Sequence, residues 1–322
     1  MKFRTEIGDI SLKHKIDYGT KIFAVGSCFA QNIAARLIRA KFRVTESPTG
    51  ILFNPASIAR ALTAFAECAK AEECRIIERS GYYVSLDSHS ELMQPTKEGA
   101  AECYNRAIAE GHRALAEADC VIITLGTSWV YRHNATGAIV ANCHKLPQSE
   151  FTRYSLSVAD ICELFRPLLG GILQDKKVIF TVSPVRHISD GLAANSLSKS
   201  TLRVAVAELC NQFENVDYFP AYEIVTDDLR DYRFYADDLV HPSNQAIEYI
   251  WERFVASALT GEAQQLLPQV EKVVAAAAHR PLNVDSQEYH TFCKRYFEQA
   301  KALSTIDFSS ECAIFERYLE KS

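Results

Sequence analysis

A three-layer α/β/α fold around a five-stranded parallel sheet, followed by a helical C-terminal extension, is predicted by three features of this sequence. Short runs of branched and aromatic residues alternate with segments of helical periodicity from residue 21 to about 260, the pattern of a parallel sheet covered on both faces. One of those runs, Cys120-Val121-Ile122-Ile123-Thr124-Leu125-Gly126, is almost continuously apolar, as an interior parallel strand must be. Beyond Leu259 the strand signals stop and only helical patterns continue. With 322 residues, 48% of them hydrophobic, the chain can bury one large core. We therefore read residues 1–260 as one domain and 261–322 as an added helical segment, a lid or an oligomer contact.

The first strand is Lys21-Ile22-Phe23-Ala24-Val25-Gly26, which stops at a glycine followed by a hydroxyl and a thiol. Residues 31–40 carry apolar positions at helical spacing, so the unit is strand, tight turn, helix. Such a turn exposes its side chains at the carboxyl edge of a sheet, where the free amides of a helix N-terminus favour negative charge. Residues 42–46 form the second strand and 56–70 a helix, and residues 75–78 and 81–86 alternate like a hairpin lying over the site. A long helix over 98–118 leads into the strand at Cys120. Residues 130–133 and 138–142 flank Asn134-Ala135-Thr136-Gly137, a second hairpin signal. Helices at 157–173 and 196–213 alternate with strands at 177–182 and 216–220, completing a flavodoxin-like order. Helices follow at 262–279, 286–303 and 309–319, with Arg280-Pro281-Leu282-Asn283 as a break.

A formal net charge of −5 leaves no basic footprint, which argues against nucleic acid or an anionic membrane as the partner. A small neutral or carbohydrate-like substrate fits better. The start, Met1-Lys2-Phe3-Arg4-Thr5-Glu6, is charged where a leader needs an apolar core, and no run reaches the length of a membrane span. The expectation is a cytoplasmic protein. Ten cysteines include no Cys-x-x-Cys pair, and Cys68, Cys103, Cys162 and Cys210 lie within helical patterns. They read as reduced thiols rather than a disulfide framework or a zinc site.

Ser27 and Cys28, on the turn after the first strand, are the nucleophile candidates. Far along the chain, Phe234-Tyr235-Ala236-Asp237-Asp238-Leu239-Val240-His241-Pro242-Ser243 puts Asp238 three residues before His241. A short loop can fold that carboxylate onto the imidazole, fixing its tautomer while the other nitrogen faces the nucleophile. Together these residues form an acyl-transfer constellation that requires neither metal nor cofactor. Gly50 and Gly126, in loops after strands on the same edge, are expected to serve the oxyanion. Asn54, Trp129, His144, Lys145, Arg186 and His187 are expected on the substrate side, Arg186 being suited to a carboxylate or to the phosphate of an acyl carrier. Several have a plainer alternative. Ser27 can cap the helix over a small buried Cys28, Gly50 can be a turn residue, and Asn54 can be a cap before Pro55. His144 and Lys145 can lie in a solvated loop, and Arg186 can pair with Asp190.

Gly26-Ser27-Cys28-Phe29-Ala30 matches the motif from which the GSCFA family takes its name. Thr124-Leu125-Gly126-Thr127-Ser128-Trp129, Ser183-Pro184-Val185-Arg186-His187 and the loop from Asp237 to Pro242 also resemble family motifs, so the resemblance spans about residues 20 to 260. That family is similar to the SGNH/GDSL hydrolases, which implies this fold and ester chemistry but no particular substrate. Laying Gly-Asp-Ser on Gly26-Ser27-Cys28 puts Cys28 at the nucleophile position, and a shift of one residue makes it Ser27. The glycine that SGNH-like enzymes use beside the nucleophile corresponds to Gly50. Where many of them carry Gly-x-Asn-Asp, this chain has Gly126-Thr127-Ser128-Trp129. The oxyanion asparagine is therefore absent, and Thr127 or Ser128 must replace it or the hole differs. Two functions follow: an esterase or O-acyltransferase acting on an O-acyl substrate such as an acetylated carbohydrate, and a glycan-binding or scaffold protein that has lost the chemistry.

Overall fold

The computed structural model of the chain describes residues 4–319; the first three residues, part of the charged start read above, lie outside the described residues. In chain order come β1 (Lys21–Gly26), α1 (Cys28–Arg39), β2 (Arg43–Glu46), α2 (Pro55–Glu67), β3 (Ile76–Arg79), β4 (Tyr82–Ser85) and α3 (Lys97–Glu117). Next are β5 (Cys120–Leu125), β6 (Trp129–His133), β7 (Ile139–Val140), β8 (Phe151–Ser155), α4 (Val158–Leu169), β9 (Lys177–Val182) and α5 (Gly191–Gln212). The chain continues through β10 (Val216–Phe219), α6 (Ala221–Glu223), α7 (Asn244–Ala258), α8 (Gly261–Ala277), α9 (Gln287–Ala302) and α10 (Ser309–Leu319).

The central sheet has the order β10-β9-β5-β1-β2 and is parallel throughout. Numbered as core strands this is 2-1-3-4-5, the flavodoxin-like order, whose winding reverses between β1 and β5 and opens a crevice beyond their carboxyl ends. Strand side chains alternate between faces. Ile22, Ile122 and Ile179 accordingly pack with Ile33 of α1, Phe254 of α7 and Val270 of α8. Phe23, Ile123 and Phe180 pack on the other face with Leu62 of α2, Ile108 of α3, Ile161 of α4 and Leu202 of α5.

The helices after Leu259 do not stand off from this core. Cys293 of α9 and Phe315 of α10 belong to the same apolar cluster as Ile22 and Ile122 of the sheet, and Lys41 pairs with Glu311 at 2.8 Å.

The hairpin β3–β4 forms as expected, but the second hairpin gains a third strand. β8 pairs antiparallel with β6 from Trp129↔Ser155 to His133↔Phe151. Phe151-Thr152-Arg153-Tyr154-Ser155 lacks an apolar run because both faces are only partly covered; its Phe, Thr and Tyr were the available β signal. All ten cysteines are free thiols. Among the described residues, no helix is long and apolar enough to cross a membrane, and no cluster of His, Cys, Asp or Glu is arranged to hold a metal.

Candidate active site

The turn after β1 exists because position 26 is glycine. Its φ is +137°, and a Cβ there would lie 2.2 Å from the Thr124 carbonyl oxygen. Ser27 then donates its amide to that same oxygen at 3.1 Å and starts α1 in extended geometry. Its hydroxyl does not cap the helix. Ser27 is 1% exposed, and its Oγ is buried without a hydrogen-bond partner. Cys28, the first helical residue, is only partly buried. Burial pushes its thiol above the ordinary value, while the Phe29 amide and the Lys199 charge pull the other way. The Cys28 and Phe29 amides, in the first turn, have no acceptor inside the helix and face the Cys28 sulfur.

Asp238 and His241 form the expected pair. His241 Nδ1 lies 2.6 Å from Asp238 Oδ2, and Asp238 Oδ1 accepts the Val240 and His241 amides at 2.9 Å each. The His241 amide and ring, with the Val240 amide, hold the Asp238 carboxyl at about 2. Both side chains are 49% exposed, so solvent reaches them. Ala236 donates to the His241 carbonyl at 2.8 Å, closing the loop. Arg186 ties this loop to the end of β9: its amide donates to Val240 O at 3.2 Å and its guanidinium to Leu239 O at 3.4 Å. Its plane stacks 3.9 Å from the Tyr235 ring centroid and 5.0 Å from that of Tyr232. Asp190, the alternative partner for Arg186, is instead held by Arg153 at 2.5 Å.

At the switch point the two halves meet around Gly126. A Cβ there would lie 2.9 Å from Phe53 O, 3.3 Å from Ser27 Cβ and 3.4 Å from His187 Nε2. The turn at Ser27 and His187 thus close on one glycine. Beneath it, the fully buried Lys199 donates to Gly126 O at 2.6 Å and Ser183 O at 2.7 Å. Burial pushes Lys199 down to about 7, and Cys28 opposes that shift. His187 is pushed down to about 4 by burial, reinforced by the Lys199 and His241 charges, so it is neutral at pH 7. Cys28, Lys199, His187 and His241 therefore form one electrostatic neighbourhood.

The expected oxyanion donors are occupied elsewhere. Gly126 and Thr127 both donate their amides to Phe53 O, at 2.8 and 3.1 Å, and Gly50 donates to Ser47 O at 3.0 Å. The Ser128 amide goes to Ser198 Oγ at 2.8 Å, its hydroxyl lies 2.9 Å from Ser155 Oγ, and Thr127 Oγ1 lies 3.1 Å from Ser198 Oγ. The Cys28 and Phe29 amides, at the helix start, have no such backbone acceptor.

A cleft of about 410 Å³ adjoins this edge, and its walls include Asn54, Trp129, Lys145 and His187 with Phe53 and Thr127. Asn54 also caps α2, accepting the Ser57 amide at 2.8 Å. Neither Ser27 nor Cys28 lines the cleft. His144 is not among these walls. Its buried ring bridges Ser90 Oγ and Ser85 O, both at 3.0 Å, and burial pushes it down to about 4. A larger cavity of about 600 Å³, between α2 and the turn before β7, shares no residue with this site.

Lys199 was not anticipated. It lies on the buried stripe of α5 with Asn195, Ser198, Leu202 and Val206, and a lysine on an apolar stripe was the available signal. Asn195 holds the site from the same stripe by accepting the His187 amide at 2.9 Å.

Two family models match the chain: the GSCFA family over residues 21–254 and the GSCFA domain protein, C-terminal domain, over residues 270–321. No curated protein matches it. The first match runs from β1 into α7, with the turn at Ser27 and Cys28, Lys199, and the loop of Asp238 and His241, and the chain belongs to the GSCFA family.

Proposed function

We propose that the chain is an ester-acting enzyme, an SGNH-like esterase or O-acyltransferase whose substrate is an O-acylated compound such as an acetylated carbohydrate. The observation that carries this reading is the 2.6 Å pairing of His241 with a carboxylate that stays ionised. Cys28 or Ser27 attacks the ester carbonyl, and His241 Nε2 takes the nucleophile's proton and returns it to the departing alcohol. Asp238 keeps Nδ1 protonated and balances the imidazolium. The Cys28 and Phe29 amides stabilise the oxyanion. Water, or a second hydroxyl, then takes the acyl group; an acyl carrier is the alternative donor. The cleft supports a sugar substrate because it combines the Phe53 and Trp129 rings with the polar Asn54 and Lys145.

A second reading, a glycan-binding protein on the same fold, is favoured by the committed amides of Gly50, Gly126 and Thr127. Hydrolysis of an aryl acetate and of an acetylated oligosaccharide separates the two. The enzyme reading expects turnover by the wild type and its loss in His241→Ala. Sugar binding without turnover in the wild type would favour the second.

A further inference from the structure

The oxyanion in the mechanism above has only backbone donors, because the amides of Gly126 and Thr127 are committed to Phe53 O and that of Ser128 to Ser198 Oγ. His187 is the side chain that belongs both to the cleft and to the turn. Its ring lines the cleft beside Phe53, Thr127 and Trp129. Its Nε2 lies 3.4 Å from where a Cβ on Gly126 would stand, and Ser27 Cβ lies 3.3 Å from the same point. The residue is held in that place: its amide donates to Asn195 Oδ1 at 2.9 Å, and its ring meets Phe53 edge-on with 5.8 Å between centroids. The ring itself makes no hydrogen bond among the described residues. Burial keeps it neutral at pH 7, and a neutral imidazole carries one N–H donor. A half-buried donor without an acceptor, set where cleft and turn meet, suits a carbonyl oxygen that gains charge there.

We propose that His187 is a catalytic residue of the ester reaction, donating Nε2–H to the carbonyl oxygen as the nucleophile of the Ser27-Cys28 turn adds to the carbonyl carbon. The carbonyl π pair moves onto oxygen, and the nucleophile's proton goes to His241. The His187 proton stays on its nitrogen throughout, so this histidine stabilises charge while His241 moves the proton. The assignment rests on the enzyme reading and holds for either nucleophile.

The test is steady-state hydrolysis of an aryl acetate by wild type, His187→Phe and His187→Gln. Phenylalanine keeps a ring without the donor, whereas glutamine keeps an N–H donor that cannot titrate. His187→Phe should lower kcat by roughly 100-fold or more, the loss expected for one oxyanion donor, with KM changed by less than about threefold. His187→Gln should recover activity to within about tenfold of wild type. A folded His187→Phe within about threefold of wild type would overturn the proposal. Glutamine as damaging as phenylalanine would also overturn it, since the ring would then act by exchanging a proton. Because His187→Phe can fail to fold, the pH profile of His187→Gln gives a second reading: the midpoint of the acidic limb of kcat/KM should stay at its wild-type value, and a shift of about one unit would show that His187 titrates in the reaction. Absence of turnover in the wild type would remove the enzyme reading and this assignment with it, whereas turnover that His187→Phe matches removes the assignment alone.

Discussion

His241 Nδ1 lies 2.6 Å from Asp238 Oδ2, while Arg186 donates to the carbonyls of both residues between them, Leu239 and Val240. A third residue, through its backbone amide and its side chain, thus ties down the loop that carries the pair. On the enzyme reading, His241→Ala lowers kcat/KM for an aryl acetate by roughly 10³-fold or more. Asp238→Asn, which permits the wrong tautomer, should approach that loss. Arg186→Lys keeps the charge but loses the stacked plane over Tyr235, and should lower kcat about tenfold with little change in KM. Equal activity in wild type and His241→Ala would remove the histidine from the chemistry.

The nucleophile is distinguished by both substitution and pH. If Cys28 attacks, Cys28→Ala abolishes turnover and Ser27→Ala costs much less; if Ser27 attacks, the ranking inverts. Since burial raises the Cys28 thiol, a Cys28 mechanism should show kcat/KM climbing on the alkaline side as the thiolate forms. That limb should be missing in a Ser27 enzyme. Full activity in both alanine variants would leave neither as nucleophile.

The sheet, its helices and the Asp238–His241 pair were legible because each rests on local pattern: alternating periodicities, a glycine-ended strand, a carboxylate three residues from a histidine. What escaped depended on distance along the chain. Gly126 and Thr127 have amides in the expected place, but Phe53, more than seventy residues earlier, occupies both. His144 reads as a loop residue until Ser85 and Ser90 fold around its ring. Lys199 joins the site only because α5 packs beneath the ends of β5 and β9.

The cleft and the buried loop make separable predictions. Trp129→Ala should raise KM for an acetylated sugar about tenfold with kcat nearly unchanged, the mark of a binding contact. His144→Ala should leave KM alone and destabilise the protein by about 1–3 kcal/mol, since it empties a buried ring site and removes the hydrogen bonds to Ser85 O and Ser90 Oγ. Steady-state kinetics and urea unfolding check both; a large KM change in His144→Ala would place that ring at the substrate after all.

Lys199 also predicts how stability follows pH. Folded, it ionises at about 7, against the ordinary lysine value of 10.5. Below pH 7 both folded and unfolded chains hold the proton, and the full cost of burying the ammonium is present. Between the two values only the unfolded chain holds it, so raising the pH favours folding, by at most about 1.4 kcal/mol per pH unit. Urea titrations from pH 7 to 9 should show this rise, and Lys199→Met should flatten it. An identical slope in the variant would assign the rise to other groups.

The last prediction concerns residues 261–322, which we propose form an extension that the sheet domain can survive without. Phe315 is fully buried in the apolar cluster that reaches Ile22 and Ile122, so Phe315→Ala should cost about 3–5 kcal/mol. Removing residues from Arg280 onward takes away α9 and α10 and uncovers part of that cluster. The truncated chain should keep a cooperative urea transition at lower midpoint, bind a hydrophobic dye more strongly, and retain the Asp238–His241 loop, which lies outside the deleted segment. Trp251, buried in α7 within the same cluster, reports the change directly: its fluorescence transition should coincide with the loss of far-ultraviolet dichroism. Loss of all cooperative unfolding in the truncated chain would show that the C-terminal helices belong to the main core, and the division at residue 260 would fall.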